Sequence, residues 1–153
     1  MEQKLTAEDA RIALRDHVVG RAREARRRYG AVDWATMQRI LTDSAVVRYP
    51  TEVRFDARPL EPGEFACAQP LGDTPAEGFR LFVHPAFAGR DDVLPALVAY
   101  HLVRVNYGEI ATHEEAELFG ATLLDLDRED YYRTLCALAD SVTDGAPSAP
   151  ESS

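Results

Sequence analysis

The clearest pattern in the chain is a stretch in which apolar residues occupy every side of a predicted helix. Residues 92–107 are largely apolar apart from His101 and Arg104, which lie one turn apart on one face. A helix that is apolar all round is buried. A second helix is predicted over 113–126, because a Thr-x-x-Glu capping box precedes a further apolar run. A buried helix is therefore followed by a helix with an acidic first turn.

Two more helices are predicted near the start of the chain. From Thr6 onward apolar residues recur at helical spacing as far as Gly30, which predicts one long helix over 7–29. Asp33 then begins a shorter helix whose apolar stripe includes Trp34. The long helix carries a cluster of arginines: Arg21, Arg23, Arg26, Arg27 and Arg28. We interpret this cluster as the solvated face of the helix, and the alternative is a surface for an acidic partner.

Between the two helix pairs the pattern changes to short apolar runs separated by proline and glycine, which is typical of strands and turns. These runs are 46–49, 53–55, 65–68 and 79–83. The expected fold is α+β, with N-terminal helices, a small twisted sheet of three to four strands, and C-terminal helices packed on one face.

The end of the chain is predicted in two parts. A last amphipathic helix is expected over 128–142. Residues 143–153 are poor in apolar side chains, which predicts a disordered tail. Residues 1–142 then form a single domain, in keeping with a chain of 153 residues that is 46% hydrophobic.

Charge and cysteine content narrow the class of protein. Residues 1–58 hold 12 basic and 9 acidic side chains, whereas residues 59–153 hold 5 and 17. Such an acidic second part disfavours nucleic-acid binding. No apolar run approaches the ~20 residues of a membrane span, and the start of the chain does not resemble a signal peptide. Because Cys67 and Cys136 also lack metal or redox spacing, we expect a cytoplasmic protein with reduced thiols.

Two polar side chains on the buried helix require partners. An unpartnered buried polar group costs ~1 to 3 kcal/mol, and the nearest candidate partners for His101 and Arg104 are Glu114, Glu115 and Glu117. The helix dipole also favours carboxylates in a first turn, which is a simpler explanation of the acidic cluster. For His101, a core histidine with a satisfied ring is preferred over metal binding or proton transfer.

The two helices resemble the active-site helices of zincin metallopeptidases of the ImmA/IrrE type. That family has H-E-x-x-H on one helix and approximately E-x-x-A-N-x-F-A-x-x-L-L on the next, and HEEAELFGATLL in this chain is similar to the second pattern. LFVHP, ahead of the first helix, resembles a strand end of the family, so the resemblance covers about 45–126. At the metal-binding motif this chain has Tyr100, His101 and Arg104, so it retains neither zinc-binding histidine nor the catalytic glutamate.

The resemblance implies a zincin-like domain without peptidase chemistry, cofactor or catalytic residue. Arg104 cannot bind a metal, and on this interpretation its guanidinium takes the place of the ion and bonds to Glu114 or Glu117. Family members act on or pair with DNA-binding regulators, so the resemblance implies a protein or peptide partner of the repressor type. The vestigial site comprises Tyr100, His101, Arg104, Glu114, Glu115 and Glu117.

Two other functions remain open. A metal-dependent hydrolase with non-standard ligands would bind zinc through His101, His113 and Glu117. A structural or self-associating protein would have no site. A serine or cysteine nucleophile is not supported, because there is no G-x-S-x-G motif and neither cysteine has an evident histidine partner in sequence.

Overall fold

The protein, described here over residues 6–148 in a computed structural model, has an α+β fold with five α-helices and a three-stranded sheet. The α+β class predicted from the sequence is thus confirmed. The helices are α1 (Ala7–Tyr29), α2 (Trp34–Ile40), α3 (Leu94–Tyr107), α4 (His113–Leu124) and α5 (Arg128–Ser148). The strands are β1 (Thr51–Phe55), β2 (Ala66–Pro70) and β3 (Phe79–Val83).

Helix α1 has the bounds that its capping residues predict. The Thr6 hydroxyl accepts a hydrogen bond from the Asp9 N–H at 3.0 Å, and the Asp9 carboxylate accepts one from the Thr6 N–H at 3.2 Å. Gly30 ends the helix at φ 72°, a conformation that favours glycine. The apolar stripe of α1 buries Val18 and Ala22 against the core.

The arginine cluster of α1 is only partly a solvated face. Arg28 pairs with Asp43 at 3.0 Å, and Arg26 donates to the carbonyl of Leu123 at 3.3 Å. Arg21 lies over the ring of Tyr107. Several of these arginines therefore tie α1 to its neighbours.

The sheet has the order β1-β3-β2, so β1 and β2 are both edge strands. β1 runs parallel to β3, with Val53 opposite Leu81, and β2 runs antiparallel to β3, with Ala68 opposite the same leucine. Three of the four apolar runs are confirmed as strands. A crossover connection separates the parallel pair, and β2 is inserted within it.

The predicted strand at 46–49 is wrong. Val46 and Val47 are buried, but their N–H groups bond to the carbonyl of Asp43 in a tight turn. The side chain of Asn106 donates to the Val46 carbonyl at 2.8 Å and accepts from the Arg48 N–H at 2.7 Å. This segment therefore pairs with a side chain of α3 and not with a strand.

Helix α3 is the centre of the fold, as its apolar character predicts. Leu97 and Leu102 are fully buried, and Pro95 lies in the first turn, where it interrupts no helical hydrogen bond. Helix α5 is tied to α3 by the hydroxyl of Tyr131, which donates to the carbonyl of Ala96 at 2.7 Å. No helix within the described residues has the length and apolar character needed to cross a membrane.

The C-terminal helix is longer than predicted. α5 continues to Ser148, whereas the sequence pattern predicts its end at 142 and a disordered tail from 143. Apolar periodicity predicts which face of a helix is buried, but it does not determine the residue at which the helix ends. The rest of the predicted tail, 149–153, lies outside the described residues.

Candidate functional site

A groove of about 240 Å³ lies between the edge strand β2, the buried helix α3 and the start of α4. Tyr100, His101 and Arg104 line it from α3, and His113 lines it from α4. Its remaining lining residues are Glu64, Ala66, Cys67, Ala68, Val103, Ala111, Thr112 and Ala116. The three residues at the position of the metal-binding motif therefore share one groove.

The β2 wall of the groove carries unpaired backbone groups. The His84 N–H bonds to the Phe65 carbonyl at 2.8 Å, and the Leu71 N–H bonds to the Gly78 carbonyl at 2.9 Å. Since alternate residues of an antiparallel strand face its partner, Ala66 and Ala68 direct their N–H and C=O groups away from β3. Within residues 6–148 no other strand pairs with this edge.

His101 lies against the aromatic side of the groove. Its ring makes edge-on contacts with Phe65, at 5.8 Å between ring centres, and with Tyr100, at 5.3 Å. The residue as a whole is partly buried, yet its Nε2 atom is buried and has no hydrogen-bond partner among the described residues. The expectation of a satisfied core histidine is thus wrong at Nε2.

Burial of the His101 ring and, to a lesser extent, the positive charge of Arg104 together lower its pKa from 6.5 to about 4. The imidazole is therefore neutral at physiological pH. A neutral ring offers one N–H donor and one acceptor nitrogen to a molecule in the groove.

Arg104 does not pair with the acidic cluster of α4. Its side chain is 56% exposed, and its nearest carboxylate is Glu109, 4.0 Å away and itself 92% exposed. The predicted bidentate pair with Glu114 or Glu117 is therefore wrong. A long cationic side chain at the rim of a groove reaches water and avoids the cost of burial.

Glu115 is the buried carboxylate of the acidic cluster, and its partners are Arg11 of α1 and Thr112, the N-cap residue of α4. Its side chain is 0% exposed, and Arg11 Nη1 lies 2.6 Å from its Oε1 atom. The same oxygen accepts from the N–H and the hydroxyl of Thr112, both at 2.7 Å. Burial by itself would raise the pKa of Glu115, but the hydrogen bonds from Arg11 and Thr112 outweigh it and lower that pKa from 4.5 to about 2.

The other two glutamates turn towards different elements. Glu114 pairs with Arg15 of α1 at 2.9 Å, and both side chains are close to half exposed. Glu117, which is only 9% exposed, accepts two hydrogen bonds from Arg128 of α5, at 3.0 and 3.2 Å. The acidic residues predicted for the vestigial site thus hold α4 to α1 and α5, and they do not line the groove.

The alternative zinc ligands are not brought together. Among residues 6–148 no group of three or more His, Cys, Asp or Glu side chains is placed to hold a metal ion. His113 is exposed at the groove, while Glu117 is engaged by Arg128. The arrangement of His101, His113 and Glu117 proposed for a hydrolase is therefore not supported.

Sequence reasoning missed the basic partners of the acidic cluster. Arg11 and Arg15 lie one turn apart on α1, beside its apolar stripe, and this position next to a buried face was the available signal. Arg128 begins α5 and gave no comparable signal. The open edge of β2 was also not apparent, because strand order is not visible in the pattern of a single chain.

Comparison with known proteins gives no relative for this chain. No family model, curated protein or solved structure matches it.

Proposed function

We propose that this protein is a catalytically inactive zincin-like module that binds an extended segment of a protein partner in the groove between β2 and α3. The observation that carries the proposal is the open edge of β2 beside that groove. An extended peptide adds to such an edge as a further strand, with main-chain hydrogen bonds for affinity and side-chain pockets for specificity.

The edge of β2 suits this mode of binding. Ala68 offers outward N–H and C=O groups, and its methyl side chain leaves room for a neighbouring backbone. Ala66 has the same orientation but is only 4% exposed, so pairing with a peptide would centre on Ala68. Pro70 has no N–H to offer, so only a short stretch of β2 is available for pairing with a peptide. The binding mode agrees with the zincin resemblance, in which active relatives receive their substrate as an added strand.

The unpartnered Nε2 atom of His101 supports the presence of a ligand. Three buried side-chain atoms of the described residues lack a hydrogen bond: Arg15 Nε, Glu115 Oε2 and His101 Nε2. The first two lie 3.7 Å apart as an ion pair, so His101 Nε2 is the one of the three that calls for an explanation. A donor or acceptor on the bound segment would satisfy it, depending on the tautomer of the ring. The exposed side chains of Arg104 and His113 at the rim would then contact residues of the segment on either side.

The absence of catalysis is proposed from the motif itself. Tyr100, His101 and Arg104 replace the two zinc-binding histidines and the general base of the resembled family. The partner is proposed, from the same resemblance, to be a regulator of the repressor type. Metal analysis of protein purified with added zinc tests the proposed absence of catalysis, and the expected result is less than stoichiometric zinc. About one bound zinc per chain would contradict it.

Peptide binding is tested by selecting binders for the whole chain from a phage library of random peptides. Binding of the selected peptides should shift the backbone NMR signals of Ala66, Ala68 and His101. Replacing Ala68 by proline removes an outward N–H without touching a bond to β3, so Ala68→Pro should weaken binding at least ~10-fold.

The matched control is Val53→Pro, which makes the same change at an outward-facing position of the other edge strand. This variant should bind the peptides as wild type does. Equal affinity for wild type and Ala68→Pro, or NMR shifts confined to another surface, would rule out the β2 groove as the binding site.

A further inference from the structure

The second edge of the sheet, formed by β1, is also open. The Phe79 N–H bonds to the carbonyl of Pro50 at 2.7 Å, and the Asp56 N–H bonds to the carbonyl of Val83 at 3.0 Å. In this parallel register the even-numbered residues of β1 face β3. Thr51, Val53 and Phe55 therefore direct their N–H and C=O groups outward, and no other strand of the described sheet pairs with them.

We propose that β1 pairs with β1 of a second copy of this chain, antiparallel and centred on Val53. Val53 then lies opposite Val53 of the second copy, and Thr51 lies opposite Phe55. All three are residues with outward backbone groups, so this register forms the hydrogen-bonded pairs that an antiparallel ladder requires. The result is a two-fold symmetric, six-stranded sheet.

Charge selects this register. Glu52 and Arg54 lie on the other face of β1, and in the centred register the Glu52 side chain of each copy lies opposite the Arg54 side chain of the other. These are non-hydrogen-bonded pairs, in which cross-strand side chains are closest and opposite charges are favourable. A shift by two residues in either direction would place Glu52 opposite Glu52 or Arg54 opposite Arg54.

The ion pairs within one copy are compatible with these new pairs between copies. Glu52 already contacts Arg80 of β3, and the Arg54 guanidinium lies 3.9 Å from Glu52 and is 56% exposed. The new pairs extend this contact into an alternating row across the symmetry axis. Charged side chains on an edge strand usually oppose pairing with other chains, but here they oppose the two shifted registers and favour the one centred on Val53.

Phe55 supplies an apolar contact to the same interface. It is 39% exposed at the end of β1. In the proposed register it lies opposite Thr51 of the other copy, which lines a groove of about 530 Å³ together with Leu41, Val47 and Leu71. Leu71 is itself 45% exposed, so the aromatic ring of one copy would cover an exposed apolar surface of the other.

The interface is small. One short strand pair with two aromatic contacts lies below the standard interface area of about 1,600 Å², so we expect a dissociation constant on the order of 1 to 100 μM and dissociation on dilution. This proposal concerns the β1 edge and does not rest on the proposed peptide groove at β2.

Analytical ultracentrifugation of the full chain over a concentration series is the test. Wild type should move from the mass of one chain, 17.0 kDa, towards twice that mass as its concentration rises. Val53→Pro removes an outward N–H at the symmetry axis and should remain monomeric, with an unchanged circular dichroism spectrum as the control for folding. Wild type that remains monomeric at ~1 mM would overturn the proposal.

A charge exchange tests the register. Arg54→Glu should dissociate the dimer, because carboxylates would then face each other across the axis, and Glu52→Arg should do so by placing guanidinium groups together. Mixing the two variants should restore association as a heterodimer with opposite charges at both pairs. A dimer that persists in Arg54→Glu and in Val53→Pro would show that the copies meet on another surface.

Discussion

Glu115 and His101 are both polar groups at the interface of α3 and α4, but their surroundings differ. Glu115 faces α1, where Arg11 and Thr112 donate three hydrogen bonds to one of its oxygens. His101 faces the β2 groove, where its Nε2 atom has no partner among the described residues. The second carboxylate oxygen of Glu115, Oε2, makes no hydrogen bond either, but it lies 3.7 Å from Arg15 Nε, so the fold supplies its counter-charge. The side of the helix pair that faces α1 is therefore paired by charge from within the fold, and the groove side has no such partner.

This difference separates structural residues from candidate binding residues. The side of α4 that faces α1 uses its charge to fix two helices together, and a buried charge that loses its partner is strongly destabilising. The groove side of α3 carries a neutral ring and an exposed guanidinium. The comparison can be tested by measuring stability and groove binding in the same set of variants.

The largest expected effect is the loss of the Glu115 carboxylate. Glu115→Ala removes the charged hydrogen bond from Arg11 and the capping bond from the Thr112 N–H, so the free energy of unfolding should fall by about 3 kcal/mol. Urea denaturation followed by circular dichroism measures this change. Glu115→Gln keeps the shape and one acceptor, and its loss should be smaller.

Glu114→Ala is the matched control for that prediction. Glu114 is the neighbouring carboxylate and also pairs with an arginine of α1, but both side chains are close to half exposed. Exposed pairs contribute about 0 to 1 kcal/mol. Equal losses for the Ala variants at 114 and 115 would mean that burial does not distinguish the two carboxylates.

Acid should destabilise the protein in two separate pH ranges. The pKa of His101 is lowered from 6.5 to about 4, so the unfolded chain takes up a proton first, and stability falls as pH drops from 6.5 towards 4. The pKa of Glu115 is lowered from 4.5 to about 2, so its stabilising contribution is present above pH 4.5 and is lost between 4.5 and 2. At about 1.36 kcal/mol per pKa unit, the two pKa differences correspond to at most about 3 to 4 kcal/mol each.

Variants of the two residues show which side chain is responsible for the loss of stability in each pH range. The pKa of Asp56 is also lowered to about 2 by its hydrogen bonds with Arg58, so the lower range is not due to Glu115 alone. The difference between the wild-type and Glu115→Gln stability curves isolates the contribution of Glu115. An upper range that is unchanged in His101→Leu would show that another group titrates there.

The parts of this structure that were predictable are those determined locally. Capping boxes at Thr6 and Thr112 and the glycine at position 30 fixed helix ends within a few residues of their own sequence. The partner of Glu115 lies 104 positions away, and no local pattern indicates it. Val46 and Val47 are apolar enough for a strand, and only Asn106, 60 residues later, places them in a buried turn.

The groove shows the same division between local and distant information. The one-turn spacing of His101 and Arg104 placed both on one face of α3, and both do line the groove. Whether each is buried depended on which element covers that face. Since β2 leaves the rim open, Arg104 reaches water while the ring of His101 packs inward against Phe65.

His101→Leu should have a moderate effect on stability, in the opposite direction to that of Glu115→Ala. It removes a buried nitrogen that has no partner, so at neutral pH the free energy of unfolding should stay the same or rise by ~1 kcal/mol. Binding of selected peptides should fall, because their hydrogen bond to the ring is lost. A clear loss of stability would mean that the ring has a structural partner, and would remove His101 from the proposed site.

Arg104→Ala should have the smallest effect on stability. Its guanidinium is 56% exposed and reaches only an exposed carboxylate at 4.0 Å, so the change in free energy of unfolding should lie within ~0.5 kcal/mol. Arg128→Ala is the control, since Arg128 makes two bonds to the largely buried Glu117 and its loss should cost about 1 to 2 kcal/mol. A cost at Arg104 of about 3 kcal/mol would restore the interpretation in which this arginine replaces a metal ion. Unchanged stability together with weakened peptide binding would instead place its role at the rim of the groove, where only a ligand would engage it.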